Sequence, residues 1–268
     1  MSITRYGYRL QQLSKGTGLN WFFLPAGPGL GSEYLTELCH HLDLPGSTFL
    51  VDFPRDGTNI HGNLDVQVWQ EGLLDLVSSY SDVILVTHSF AGMVVLNLPH
   101  IERHLRGLVL MNTTTHATFM EHVAAMRDQH QLPDLLPAAS QYHLYPSRDT
   151  YQTFWEDYKY YCFTAEEMSA GEKLMALFAF NSAAYNFAIQ NFFPGYRAQW
   201  VPTIIPVMTL ASENDYVCPP TIFINDECYQ RKNIMNQLLQ DAGHFPWLKQ
   251  LRKVQQCFAA FVQEFLLS

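Results

Sequence analysis

Asp82-Val-Ile-Leu-Val-Thr-His-Ser-Phe-Ala-Gly-Met-Val-Val-Leu96 is the stretch on which the fold turns. Val83 to Thr87 are apolar or β-branched without a break, which predicts a buried strand. Met93-Val-Val-Leu-Asn-Leu98 suits a buried helix. Between them, Thr87-His-Ser-Phe-Ala-Gly92 sets small residues two positions either side of Ser89. A strand that breaks sharply into a helix needs small residues there, because the two backbones nearly touch. The apex residue is then strained, pushes its side chain into the open and lies where helix N–H groups face outward. That geometry suits an activated serine. Thr87 and Ala91 stand where the usual G-x-S-x-G pattern has glycine, so the hexapeptide alone fits an ordinary strand–helix turn equally well. The run is too short for a membrane span once His88, Ser89 and Asn97 interrupt it.

A chain of 268 residues forms one sizeable domain, with room for an insertion and a large core. Hydrophobic residues make up 48% and aromatic residues 14%, which argues for a globular chain and against disorder. Lys and Arg number 16 against 25 Asp and Glu, a net charge of −9 with no basic run. Nucleic acid and anionic membranes are therefore not expected partners. Met1-Ser-Ile-Thr-Arg-Tyr-Gly7 lacks an apolar h-region, so no signal peptide is expected. Cys39, Cys162, Cys218, Cys228 and Cys257 are scattered, odd in number and without a C-x-x-C pair. They read as free thiols in a reducing compartment, with the cytoplasm as the expected location and no metal site.

Elsewhere the chain alternates between strand and helix signals. Residues 5 to 13 suggest a β-hairpin with its turn at Lys15-Gly-Thr-Gly18. Trp21-Phe-Phe-Leu24 is a short apolar strand that ends in the loop Pro25-Ala-Gly-Pro-Gly-Leu-Gly31. A helix over roughly 33 to 42, a strand at Thr48-Phe-Leu-Val-Asp52 and a turn at Phe53 to Thr58 follow. Asn63 is a candidate cap for a helix with Leu64, Val68, Trp69, Leu73, Leu76 and Val77 at helical spacing. After the elbow comes a strand at Gly107 to Asn112. Regular alternation of this kind predicts a parallel sheet covered on both faces. From about His116 to Trp200 only aromatic, helix-like segments appear, including Tyr151 to Phe163 and Glu166 to Phe180. A stretch of that length is too long for a plain loop and predicts a helical insertion. Strand signals return at Ile204 to Ala211 and near Ile234 to Leu239, and a final helix covers Trp247 to Leu266.

A serine at an elbow is inert unless a base takes its proton, and the base needs a third group to hold its tautomer. Ser212-Glu-Asn-Asp-Tyr-Val-Cys-Pro219 follows a strand, at the edge where ligand chemistry collects in parallel sheets. Asp241-Ala-Gly-His-Phe-Pro-Trp247 places His244 just before the last helix. Either Glu213 or Asp215 can reach that imidazole, with Asp215 the better placed in its motif.

With these motifs in view the chain resembles the α/β-hydrolase superfamily, through Leu24 to Gly31, Asp52 to Thr58, Thr87 to Gly92, and Asp215 with Gly243-His244. Gly27-Pro-Gly-Leu-Gly-Ser-Glu-Tyr-Leu35 is similar to the oxyanion loop of prolyl-iminopeptidase-like enzymes. The resemblance implies an α/β core of about eight mostly parallel strands, built from residues 1–115 and 201–268, with residues 116–200 as a helical cap. It implies Ser89 as nucleophile, His244 as base and Asp215 as the orienting acid, with the Gly27 and Phe90 N–H groups as oxyanion donors. No metal or organic cofactor is expected. Pro25-Ala26 replaces the family's usual His-Gly, and the elbow lacks the Gly-Gly-Ser form common in the peptidase branch. Glu156, Glu166 and Glu167 are candidate carboxylates for a substrate ammonium, or simply solvated helix residues.

The expected function is hydrolysis of a small ester, thioester or amide through an acyl-enzyme on Ser89. A proline iminopeptidase acting on a short peptide is the second reading. A ligand-binding protein that keeps the fold without turnover is the third.

Overall fold

A computed structural model describes residues 1–117 and 119–266. Thr118, within the expected insertion, and Leu267 and Ser268, at the end of the expected core, lie outside them. Eight strands form one sheet: β1 (Ser2–Ile3), β2 (Arg9–Ser14), β3 (Asn20–Leu24), β4 (Ser47–Asp52), β5 (Val83–His88), β6 (Leu105–Met111), β7 (Val207–Ser212) and β8 (Ile234–Leu239). Their order is β1-β2-β4-β3-β5-β6-β7-β8. The pairs β1–β2 and β2–β4 are antiparallel, and every pairing from β4 to β8 is parallel. All residues of β4, β5 and β7 are buried, as continuous apolar runs covered on both faces should be.

The helices are α1 (Thr36–His41), α2 (Val66–Ser78), α3 (Phe90–Leu96), α4 (Phe119–His130), α5 (Leu136–Leu144), α6 (Arg148–Cys162), α7 (Met168–Met175), α8 (Ser182–Asn191) and α9 (Trp247–Phe261). Five of them, α4 to α8, lie between β6 and β7. Among the described residues the only β pairing in that interval is a single bridge from His116 to Arg197. No helix among the described residues is long and apolar enough to cross a membrane.

Two local expectations need correction. The hairpin joins β1 to β2, with Ser2 opposite Leu10, and β4 intervenes between β2 and β3. A hairpin turn at Lys15 to Gly18 is therefore absent. The cap of α2 is Asp65 rather than Asn63, because the Asp65 carboxylate accepts from Gln67 N–H (2.7 Å) and Val68 N–H (3.2 Å). The helix after the elbow starts at Phe90, so Ser89 stands at its N-terminus as expected, and Met93 to Leu96 lie within it.

Sheet growth reverses at β3, which has β4 on one side and β5 on the other. Crevices outside the carboxyl ends of parallel strands form at such a reversal. The loop Pro25 to Gly31 and the elbow at Ser89 leave β3 and β5 at that point.

Candidate active site

Ser89 has φ +53° and ψ −113°, outside the helical region, between the end of β5 and the start of α3. Its backbone is held on both sides: the N–H donates to Met111 O (2.9 Å) and the carbonyl accepts from Thr113 Oγ1 (2.7 Å). The same threonine explains Gly92, since a Cβ there would come within 2.6 Å of Thr113 Oγ1. Thr87 is tolerated in place of glycine because its hydroxyl donates to Val109 O (2.9 Å) on the neighbouring strand. A buried hydroxyl without such a partner would be costly.

His244 Nδ1 pairs with Asp215 Oδ2 at 2.8 Å. The Asp215 carboxylate is 1% exposed, yet it has four donors. Oδ1 accepts from Val217 N–H and Cys218 N–H, each at 2.9 Å, and Oδ2 also accepts from Asn112 Nδ2 at 2.8 Å. Asn112 follows β6 with φ +43° and accepts in turn from Ser212 Oγ (3.3 Å). Four donors offset the burial of a carboxylate. Glu213 instead accepts from Asp241 N–H (3.2 Å), so it is Asp215 that meets the imidazole.

The loop carrying His244 is fastened to the end of α6. His244 N–H donates to Cys162 O (2.7 Å), and Gly243 N–H donates to the buried Glu167 carboxylate (3.1 and 3.2 Å). A Cβ on Gly243 would lie 2.4 Å from Cys162 O, so only glycine lets the two chains approach this closely. Glu167 thus supports the loop rather than facing a ligand.

His88 lies beneath this arrangement, fully buried, its ring centroid 4.9 Å from that of His244. Its Nε2–H donates to His244 O (2.8 Å), which leaves Nδ1 to accept from Tyr34 OH (2.8 Å). Tyr34 Oη accepts from Ala26 N–H (2.6 Å). Burial, with His244 adding to it, holds His88 well below the usual histidine range. A neutral ring therefore ties the loop after β3 to the His244 carbonyl.

The expected oxyanion donors flank Ser89 in the chain fold. Gly27, with φ +128°, lines the same chamber as Ser89, and Phe90 opens α3. Neither N–H enters an intramolecular hydrogen bond among the described residues. The Gly27 loop is braced around them: Gly29 N–H donates to Asp56, Ser32 N–H to Asp52 Oδ1 (2.7 Å) and Tyr151 OH to Pro28 O (3.0 Å).

Ser89, Gly27 and His244 face a chamber of about 70 Å³, roofed by Tyr151, Phe154, Trp155 and Tyr158 of α6 and Tyr185 of α8. Among the described residues no Asp, Glu, Lys or Arg lines it. Glu156 and Glu166 are not brought to it. Glu156 pairs with Lys159 (2.9 Å) and Glu166 with Lys249 (2.7 Å), with side chains 57% and 73% exposed. Helical spacing accounts for Glu156, which follows Trp155 by one residue and so turns away from the face that Trp155 shows the chamber, while Glu166 lies in the turn before α7. Four further contributors were not legible as site residues: Tyr34, Asp56, Asn112 and Cys218; Glu167, a candidate for a substrate ammonium, instead holds Gly243. Only Asn112 had a positional signal, as a polar residue ending a strand at the same sheet edge as Ser89. Asp215, Cys218 and His244 bring a carboxylate oxygen, a thiol sulfur and a ring nitrogen within 4.8 Å of one another, a donor set able to hold a metal.

A model of the alpha/beta hydrolase family matches residues 16–254. The chain belongs to the alpha/beta hydrolase family. Among solved structures, this hydrolase-family chain is similar to the proline iminopeptidase-related protein from Thermus thermophilus, at 18% identity and TM-score 0.73, covering 99% of this chain and 96% of that one. It is similar to a thermophilic esterase from Thermogutta terrifontis at 16% identity and TM-score 0.68, covering 96% and 93%. An alpha/beta fold family hydrolase from Bacillus anthracis matches at 12% identity and TM-score 0.71, covering 96% of each chain. Identities this low establish the shared fold alone. No curated protein matches the sequence.

Proposed function

We propose that this alpha/beta hydrolase cleaves a small carboxylic ester or thioester through an acyl-enzyme on Ser89. His244 Nδ1 is engaged by Asp215, so Nε2 is the nitrogen left to act as base. In the proposed cycle, Ser89 Oγ attacks the carbonyl carbon while His244 Nε2 accepts its proton. The oxyanion takes hydrogen bonds from Gly27 N–H and Phe90 N–H, and Asp215 stabilises the imidazolium. His244 then returns the proton to the leaving oxygen or sulfur as the bond to carbon breaks. Water enters, gives its proton to His244 and releases the acid, with the proton restored to Ser89. In apo structures such catalytic contacts are often loose and tighten on binding. Helices α4 to α8 act as a cap over this chemistry.

One observation carries the choice of substrate: the chamber around Ser89 is lined mostly by rings and aliphatic groups, with no Asp, Glu, Lys or Arg among the described residues. A substrate ammonium buried there would have no counter-charge, which disfavours an aminopeptidase. An apolar acyl group fits without that penalty. The test is turnover of p-nitrophenyl acetate, butyrate and octanoate beside prolyl-aminomethylcoumarin. Expected is repeated turnover of the short esters and none of the prolyl amide. Rapid release of aminomethylcoumarin would overturn the esterase reading in favour of an iminopeptidase. A single sub-stoichiometric turnover of every substrate would favour a binding protein.

A further inference from the structure

We infer that Asp215, Cys218 and His244 form a binding site for a thiophilic divalent cation, zinc or cadmium, whose occupation silences the chemistry proposed for Ser89. The second half rests on the hydrolase reading; the first does not. A thiolate, an imidazole and a carboxylate are the ligand types that zinc and cadmium accept together. The three residues are 1%, 1% and 3% exposed, and their donor atoms lie within 4.8 Å of one another. Ligands around a tetrahedral zinc lie roughly 3.3–3.8 Å apart, given bond lengths of about 2.0–2.3 Å. Closing on an ion therefore needs shifts of about 1 Å, within the reach of side-chain rotation.

The surroundings suit a cation. No Lys or Arg lines the chamber, and His88 is held neutral beside His244. Asn112 Nδ2 and the N–H groups of Val217 and Cys218 already fix the carboxylate, the kind of outer support that orients metal ligands. His244 itself lines the chamber together with Ser89, so the site opens onto it. A water from the chamber completes the coordination. Burial and the Asp215 charge keep the Cys218 thiol protonated in the metal-free protein. Binding then expels the thiol proton to solvent, and affinity rises with pH. Whichever imidazole nitrogen the ion takes, the base is lost: Nε2 loses its lone pair, or Nδ1 loses its bond to Asp215.

The test is a cadmium titration of the chelator-treated full chain, followed by the ultraviolet thiolate-to-cadmium charge-transfer band, with zinc followed by calorimetry. One equivalent should raise the band in the wild type and in C228S, which removes the exposed thiol. C218S should abolish the band, and H244N should weaken binding by at least about 100-fold. Circular dichroism establishes that each variant is folded, and H244N serves if C218S is not. No band on folded wild type at saturating cadmium, or a band that survives C218S, would overturn the site. Fluorophosphonate labelling of Ser89 tests the silencing: cadmium should block it and EDTA restore it, and labelling indifferent to bound cadmium would refute that half. Metal-free protein that never labels, yet shows the band, would retain the site and reject the hydrolase reading.

Discussion

Asp56→Asn removes a charge that the fold buries behind the loop carrying Gly27. Asp56 has no exposed surface; Oδ1 accepts from Gly29 N–H and Oδ2 has no partner. Burial first, and then the charge of Asp52, pushes its carboxyl up to about 7 from an ordinary 3.8. Because the folded protein holds this proton more tightly than the unfolded chain, stability is greatest below about 4 and falls as pH rises toward 7. Once both states are ionised the penalty is about 4 kcal/mol, of which about 2 kcal/mol develops between pH 5.5 and 8. Asparagine keeps an acceptor for Gly29 N–H and carries no charge. Urea unfolding followed by circular dichroism at pH 5.5 and 8 should show Asp56→Asn gaining on wild type by about 2 kcal/mol more at the higher pH. A difference between the two proteins that stays constant across that range would refute the reasoning.

Three further outcomes follow from the same geometry. Tyr34→Phe keeps the ring contacts with Phe178 and Trp247 but strips the partners from Ala26 N–H and His88 Nδ1, and should lower unfolding stability by about 1–3 kcal/mol; a loss within measurement error would contradict the role of the link. Gly243→Ala drives a Cβ to 2.4 Å from Cys162 O and should slow labelling of Ser89 by about 100-fold, measured as a pseudo-first-order rate, whereas a wild-type rate would show that the loop absorbs the group without moving His244. Asp65→Ala removes the cap of α2 and should cost about 1 kcal/mol in urea unfolding, with labelling of Ser89 unaltered.

The parallel core was legible because its strands are buried on both faces and therefore read as unbroken apolar runs, as at Val83 to Thr87. The edge was not. β2 is six residues with mixed exposure, and nothing in its pattern says that it pairs with β4 rather than β3. Ser89, Asp215 and His244 stood out because each follows a strand in a small or polar turn. Glu156 and Glu166 were candidates because a carboxylate on a helix says nothing about which way the helix faces. Lys159, the partner of Glu156, lies three residues on in the same helix, whereas Lys249 on α9 meets Glu166 only in the folded chain. Tyr34 and Glu167 act across long sequence separations, so no local spacing announces their contacts. Tyr34 reaches His88 over 54 positions and Glu167 reaches Gly243 over 76.

The central claim is that Ser89 is activated by His244. Incubating the folded protein with a fluorophosphonate and counting covalent adducts by intact mass tests it directly, beside Ser89→Ala and His244→Ala. One adduct on wild type, none on Ser89→Ala and a rate reduced by several powers of ten on His244→Ala is the predicted result. Folded wild type that takes up no adduct, or Ser89→Ala that still does, would contradict it.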